Sequence, residues 1–130
     1  MRCVFALLVA LAGCSPPGGA FERDLVTGFQ VSPTFNAFSE PCTVRYHLAE
    51  PAWVEIRVTQ VQPDGSKALV RQITELRRET AGARTAAWRG VGPNGLFAPQ
   101  GLYTVEVYAS LDPGADPAEV WELTTIMYRS

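Results

Sequence analysis

The sequence predicts an all-β fold, an antiparallel sandwich of about seven short strands. Three observations carry that prediction. Turn-forming pairs and triplets recur at short intervals: Ser32-Pro33, Glu40-Pro41, Glu50-Pro51, Pro63-Asp64-Gly65, Gly92-Pro93-Asn94-Gly95, Pro99-Gln100-Gly101 and Asp112-Pro113-Gly114. Segments between them alternate apolar and polar side chains with a period of two, which is the period of a half-buried strand. Past the N-terminal leader, only one segment has helical spacing of its apolar residues.

Taken in order, the elements are these. Arg2 and the uncharged run Cys3 to Ala12 have the charge and length of a secretory leader, and the run is too short to cross a bilayer as a helix, which takes about 20 apolar residues. Residues 14–20, Cys-Ser-Pro-Pro-Gly-Gly-Ala, form a flexible tether. Residues 21–130 are the domain. Leu25 to Val31 is the first strand. Val44, Tyr46 and Leu48 alternate with Thr43, Arg45 and His47, and Val54, Ile56 and Val58 alternate with Glu55, Arg57 and Thr59. Lys67 to Glu79 is ambiguous: Leu69, Ile73 and Leu76 have helical spacing, while Val70 with Gln72 and Thr74, or Leu69 with Arg71 and Ile73, could equally be one face of a strand. Arg84 to Trp88 is a short strand, Tyr103 to Ala109 alternates cleanly, and Val120 to Tyr128 is the last strand. On that strand Trp121, Leu123 and Met127 compete with Val120 and Ile126 for the inward face.

Composition narrows the function classes. With 130 residues, 47% hydrophobic and 18% charged, the chain is one domain's worth of sequence. A formal net charge of −2 offers no basic excess for neutralising phosphates, so no nucleic-acid partner is expected. Leu11-Ala12-Gly13-Cys14 resembles the lipobox of bacterial lipoproteins at every position. That resemblance implies cleavage after residue 13, and a diacylglycerol and an N-acyl chain on Cys14. Ser15 in the next position implies the outer membrane, facing the periplasm or the cell surface. Cys3 would leave with the leader and Cys14 would be acylated, so Cys42 alone would remain and no intramolecular disulfide is expected.

Six pieces of the domain, in order, resemble a known family. They are Val31-Ser32-Pro33-Thr34-Phe35-Asn36, Thr43-Val44-Arg45-Tyr46-His47-Leu48, Glu50-Pro51-Ala52-Trp53-Val54-Glu55-Ile56, Leu69-Val70-Arg71-Gln72-Ile73, Ala81 to Gly90 with its Trp88-Arg89-Gly90, and Pro99-Gln100-Gly101-Leu102-Tyr103. Together they resemble the FlgD-type Ig-like domain of flagellar hook-capping proteins and the related C-terminal sorting domain of secreted bacterial proteins. The resemblance implies an Ig-like, fibronectin III-like sandwich, and it favours a strand for Lys67 to Glu79. The chain departs from the pattern at Thr34 and Ala37, where proline is usual, and at Arg89, where an aspartate is usual. Its end, Met127-Tyr128-Arg129-Ser130, argues against a sorting role, and only a tether precedes the sandwich, so hook-cap activity is not expected either.

No residue set reads as catalytic. His47 is the only histidine and points outward beside Arg45. Cys42 lies just before a strand, five residues from His47, and reads as a protected thiol. Asp112, Asp116 and Glu119 lack calcium-site spacing and read as a solvated hairpin tip. Arg71, Arg77, Arg78, Arg84 and Arg89 are a candidate interaction surface, with Trp53 and Trp121 as candidate ligand-facing aromatics. The expectation is therefore a non-enzymatic, lipid-anchored envelope protein serving as a structural or interaction module. Its partners would be the membrane and another envelope protein, with no metal and no small-molecule cofactor. The alternative is an envelope polysaccharide-binding or ligand-binding module.

Overall fold

Two-residue alternation sorts the side chains before any tertiary contact is considered, and the computed structural model keeps that sorting. The structure describes residues 24–112 and 119–130; the leader, Cys14, the tether and Asp116 lie outside the described residues. Eight strands follow in chain order: β1 (Val26–Val31), β2 (Thr34–Asn36), β3 (Cys42–Leu48), β4 (Ala52–Val61), β5 (Lys67–Glu79), β6 (Gly82–Trp88), β7 (Gly101–Ser110) and β8 (Glu119–Tyr128). No helix occurs among the described residues. The fold is all-β, as expected.

The strands form a three-stranded sheet, β1-β3-β6, and a five-stranded sheet, β2-β8-β7-β4-β5. On β3, Cys42, Val44, Tyr46 and Leu48 are buried while Arg45 and His47 face solvent. On β4, Ala52, Val54, Ile56 and Val58 are buried; on β7, Tyr103, Val105, Val107 and Ala109 are. These side chains make one core shared by both sheets. Fully burying each large one contributes about 1.5–3 kcal/mol before conformational entropy is subtracted. Trp88 of the small sheet is its main cross-link. Its ring meets Phe35 at 5.6 Å and Tyr103 at 5.0 Å, both edge-to-face, and both on or beside the other sheet. Gly90 lets the chain leave Trp88 closely packed: φ is +82°, and a Cβ there would lie 2.7 Å from Met127 Sδ and 2.8 Å from Ala37 Cβ.

Two expectations are corrected here, and two left open are decided. The described residues hold eight strands rather than about seven, because Thr34–Asn36 is a strand of its own. It pairs parallel with β8, Phe35 opposite Met127, so the fold is not purely antiparallel. Three residues after a proline carry too short a pattern to read, and the pairing partner is distant in sequence. On β8, Glu119, Trp121, Thr125 and Met127 point inward, while Val120 and Ile126 are exposed. Lys67–Glu79 is a strand, and its pairing with β4 shifts register three times. Each shift places an extra β5 residue against β4, which is why 13 residues of β5 lie along 10 of β4.

Register also fixes the two ends of the domain. Leu48 opposite Gly82, Ala52 opposite Glu79 and Ala109 opposite Glu119 define one end. Cys42 opposite Trp88, Val61 opposite Lys67 and Gly101 opposite Met127 define the other.

Candidate functional site

The expected site residues do not assemble. Trp53 and Trp121 are both half-buried but lie on opposite faces of the five-stranded sheet. Trp53 follows the outward alternation of β4; Trp121 packs against the core, its indole N–H donating to Glu119 Oε1 at 2.7 Å. They cannot form one ligand platform. The arginine set also divides. Arg77 and Arg84 flank Glu79, at 3.2 and 3.8 Å. Arg71 reaches Gly92 O at 3.4 Å, Arg78 pairs in register with Trp53, and Arg89 lies past Trp88 at the other end. Trp88 itself is buried and belongs to no surface patch.

Glu79 is 5% exposed, and the β5–β6 turn brings its carboxylate under the small sheet. Tyr46 OH donates to its Oε1 at 2.5 Å. Burial raises the Tyr46 pKa and the bond to Glu79 raises it further. Cys42 is fully buried, with Sγ 3.7 Å from Thr125 Oγ1, and burial pushes its thiol up, away from the reactive thiolate. Glu119 is 3% exposed, so it does not belong to a solvated hairpin tip. Among the described residues, no group of three or more His, Cys, Asp and Glu side chains could hold a metal ion.

The outer face of the five-stranded sheet carries a polar network that alternation alone does not reveal. Glu106 points to this face yet is only 2% exposed, because its neighbours close over it. Tyr108 OH donates to Oε1 at 2.6 Å; Lys67 Nζ and Thr59 Oγ1 donate to Oε2 at 2.9 and 3.2 Å. Lys67 also pairs with Glu122 at 2.7 Å, and the Arg57 guanidinium lies 4.7 Å over the Tyr108 ring. Burial works to raise the Glu106 carboxyl, but the bonds from Tyr108, Lys67 and Thr59 together outweigh it and hold it below the usual carboxylate range. Burial and the bond to Glu106 push Tyr108 up to about 12. A carboxyl with a lowered folded pKa contributes stability that is present above its unfolded value, near 4.3, and lost as pH falls through the folded value. Glu106→Gln is therefore expected to flatten the fall in unfolding free energy below about pH 4. Urea titrations at a series of pH values test this; an unchanged slope would mean the network makes no acid-side contribution.

A different feature has the form of a binding site. At the Trp88 end, a groove of about 300 Å³ runs between the start of β5 and the segment 91–99. Leu69, Val70, Leu96, Phe97, Ala98 and Tyr103 line it, with Gln60 and Asn94 as polar neighbours. Leu69, Leu96 and Phe97 are 54%, 67% and 45% exposed. Phe38 stacks edge-to-face on Phe97 at 5.1 Å and extends the apolar surface. The segment is held from several sides. Gly95 N and Leu96 O close a tight turn through Gly92, at 3.1 and 2.8 Å, and Ala98 N donates to Gly90 O at 2.8 Å. The Trp88 indole N–H donates to Val91 O at 2.9 Å, and Tyr103 OH to Pro99 O at 2.5 Å. A loop so fixed presents Leu96 and Phe97 without an ordering cost at the moment of binding. The signal was legible: Leu96-Phe97 is a large apolar pair inside a run of turn formers, Gly92-Pro93-Asn94-Gly95. Phe38 and Leu69 join it only through tertiary contact.

Fold and groove together define a small two-sheet β domain with an apolar cleft at one end. No family model matches the chain, and no curated protein matches it. Among solved structures it is similar to the alkylpurine DNA glycosylase AlkC of Pseudomonas fluorescens, bound to DNA containing an abasic site analog. The TM-score is 0.44 at 12% identity, over 79% of this chain and 30% of that one. The expected membership of the FlgD-type family is corrected accordingly: no family model and no curated relative supports it. Three further expectations are withdrawn with it, namely a structural or interaction role as an envelope module, the absence of enzymatic activity and the exclusion of nucleic acid as a partner: no comparison supports them, and the solved structure named above is described as a DNA-bound enzyme. At this TM-score the likeness transfers neither activity nor DNA binding to this chain.

Proposed function

We propose that this domain recognises an apolar group, an aromatic ring or branched aliphatic chain, in the groove between β5 and segment 91–99. One observation carries the reading: Leu96 and Phe97 are held at the surface by a loop bonded to Trp88, Tyr103 and Gly90 rather than folded into the core. The test is titration of the isotope-labelled chain with indole, followed amide by amide. Saturable shifts confined to Leu69, Val70 and residues 92–98 are expected. Phe97→Ser combined with Leu69→Ser should weaken binding about tenfold or more, equivalent to about 1.4 kcal/mol, with an unchanged melting temperature. Shifts spread evenly over the surface, or equal binding by the double variant, would overturn the reading.

The strand order β1-β3-β6 against β2-β8-β7-β4-β5 supports an immunoglobulin-like arrangement of the two sheets. The N-terminal sequence supports a separate proposal. Arg2, the apolar run and Leu11-Ala12-Gly13-Cys14 favour export and acylation of Cys14, with a cell-envelope address. Labelled palmitate is expected in the chain expressed in a bacterial host and absent from Cys14→Ser. Equal labelling of the two would sink the proposal.

A further inference from the structure

We propose that the free edge of β6 takes up an extended acidic polypeptide segment as a fourth strand of the small sheet. Among the described residues four strands lie at sheet edges, β6 with no strand paired beyond it, and the other three are blunted. β2 is three residues long, β1 slips register between Thr27 and Gln30, and β5 shifts register three times along β4. Short, bulged edges pair poorly with incoming strands. β6 lacks all these devices. Its seven residues match seven of β3 without a shift, from Cys42 opposite Trp88 to Leu48 opposite Gly82. It contains no proline, and its outward positions are Ala83, Thr85 and Ala87.

Charge selects the occupant. β1, β3 and β6 contain no acidic residue in a chain whose formal net charge is −2. Arg45 and His47 are exposed on the outer face of β3, opposite Thr85 and Ala83, and exposed Arg89 follows β6 directly. Strands lie about 4.8 Å apart, so a long arginine reaches across a small neighbour to the next strand. Ala83, Thr85 and Ala87 leave that path open for Arg45. An added strand with Glu or Asp on this face would gain main-chain hydrogen bonds from the edge and opposite charge from the sheet.

Hydrogen exchange and amide-shift titration of the chain with a synthetic peptide alternating Glu and Val test the proposal. Slow exchange is expected to appear at alternate β6 amides on binding. An alternating Lys and Val peptide should bind at least about tenfold more weakly, and Arg45→Glu should narrow that preference. Peptides N-methylated on one or other alternate set of amides leave the protein intact: one set is expected to abolish binding and the other to spare it. Equal binding by both sets would overturn strand addition. Equal competition by a single-stranded oligonucleotide would overturn the peptide assignment in favour of an anion surface. Protection of every β6 amide in the unliganded chain would overturn the free edge itself.

Discussion

Trp88→Ala is expected to lower the unfolding free energy by about 3–5 kcal/mol, the cost of truncating a large buried aromatic residue. That is a large fraction of the about 5–15 kcal/mol that holds a domain together. The ring is 2% exposed and stacks on Phe35 and Tyr103, so its loss opens a cavity between the sheets rather than at their margin. Urea unfolding read by far-ultraviolet dichroism gives the value; a loss under about 1 kcal/mol would mean that Phe35 and Tyr103 collapse into the space. Trp88→Phe separates packing from hydrogen bonding. It keeps most of the volume and removes the donor to Val91 O. Faster hydrogen exchange is therefore expected across residues 91–98, with a smaller change in global stability.

Glu119→Ala is the second large effect, about 3 kcal/mol. The carboxylate accepts from the backbone N–H of Leu25 and from that of Val26 at 2.9 Å, as well as from the Trp121 indole. Leu25 and Val26 are buried, so these donors have no ready water to replace the lost oxygens, and each unsatisfied donor costs about 1–3 kcal/mol. Glu119→Gln keeps the size and one acceptor but turns an amide donor toward other donors, so it should recover only part of the loss. Full recovery would show that volume, not hydrogen bonding, holds the start of β1. Thermal unfolding of the two variants side by side distinguishes these outcomes.

Glu119 also shows where sequence reading stops. In the chain it is the last acid of a loop with Asp112 and Asp116, which reads as a hairpin tip. In the fold the β7–β8 register sets it opposite Ala109, at the end where β1 enters, and its side chain meets residues 93 and 94 positions away. Glu106 makes the same point from the other direction. Period-two alternation correctly turns it outward, but burial on that face depends on Tyr108, Lys67 and Thr59 from three strands.

The sequence by itself determined the all-β class and the inward faces of β3, β4 and β7. Those follow from local patterns, since successive side chains on a strand must point to opposite faces. It also contained the turn that lifts Leu96 and Phe97. Only the tertiary structure decided the rest. β5 reads ambiguously because three register shifts break its period, and those shifts exist only against β4. β2 is a strand only because β8 offers it a parallel partner. The groove and the open β6 edge are relations between elements far apart in the chain. No local period encodes such relations; they are set by which strands pair and which edges are left unpaired.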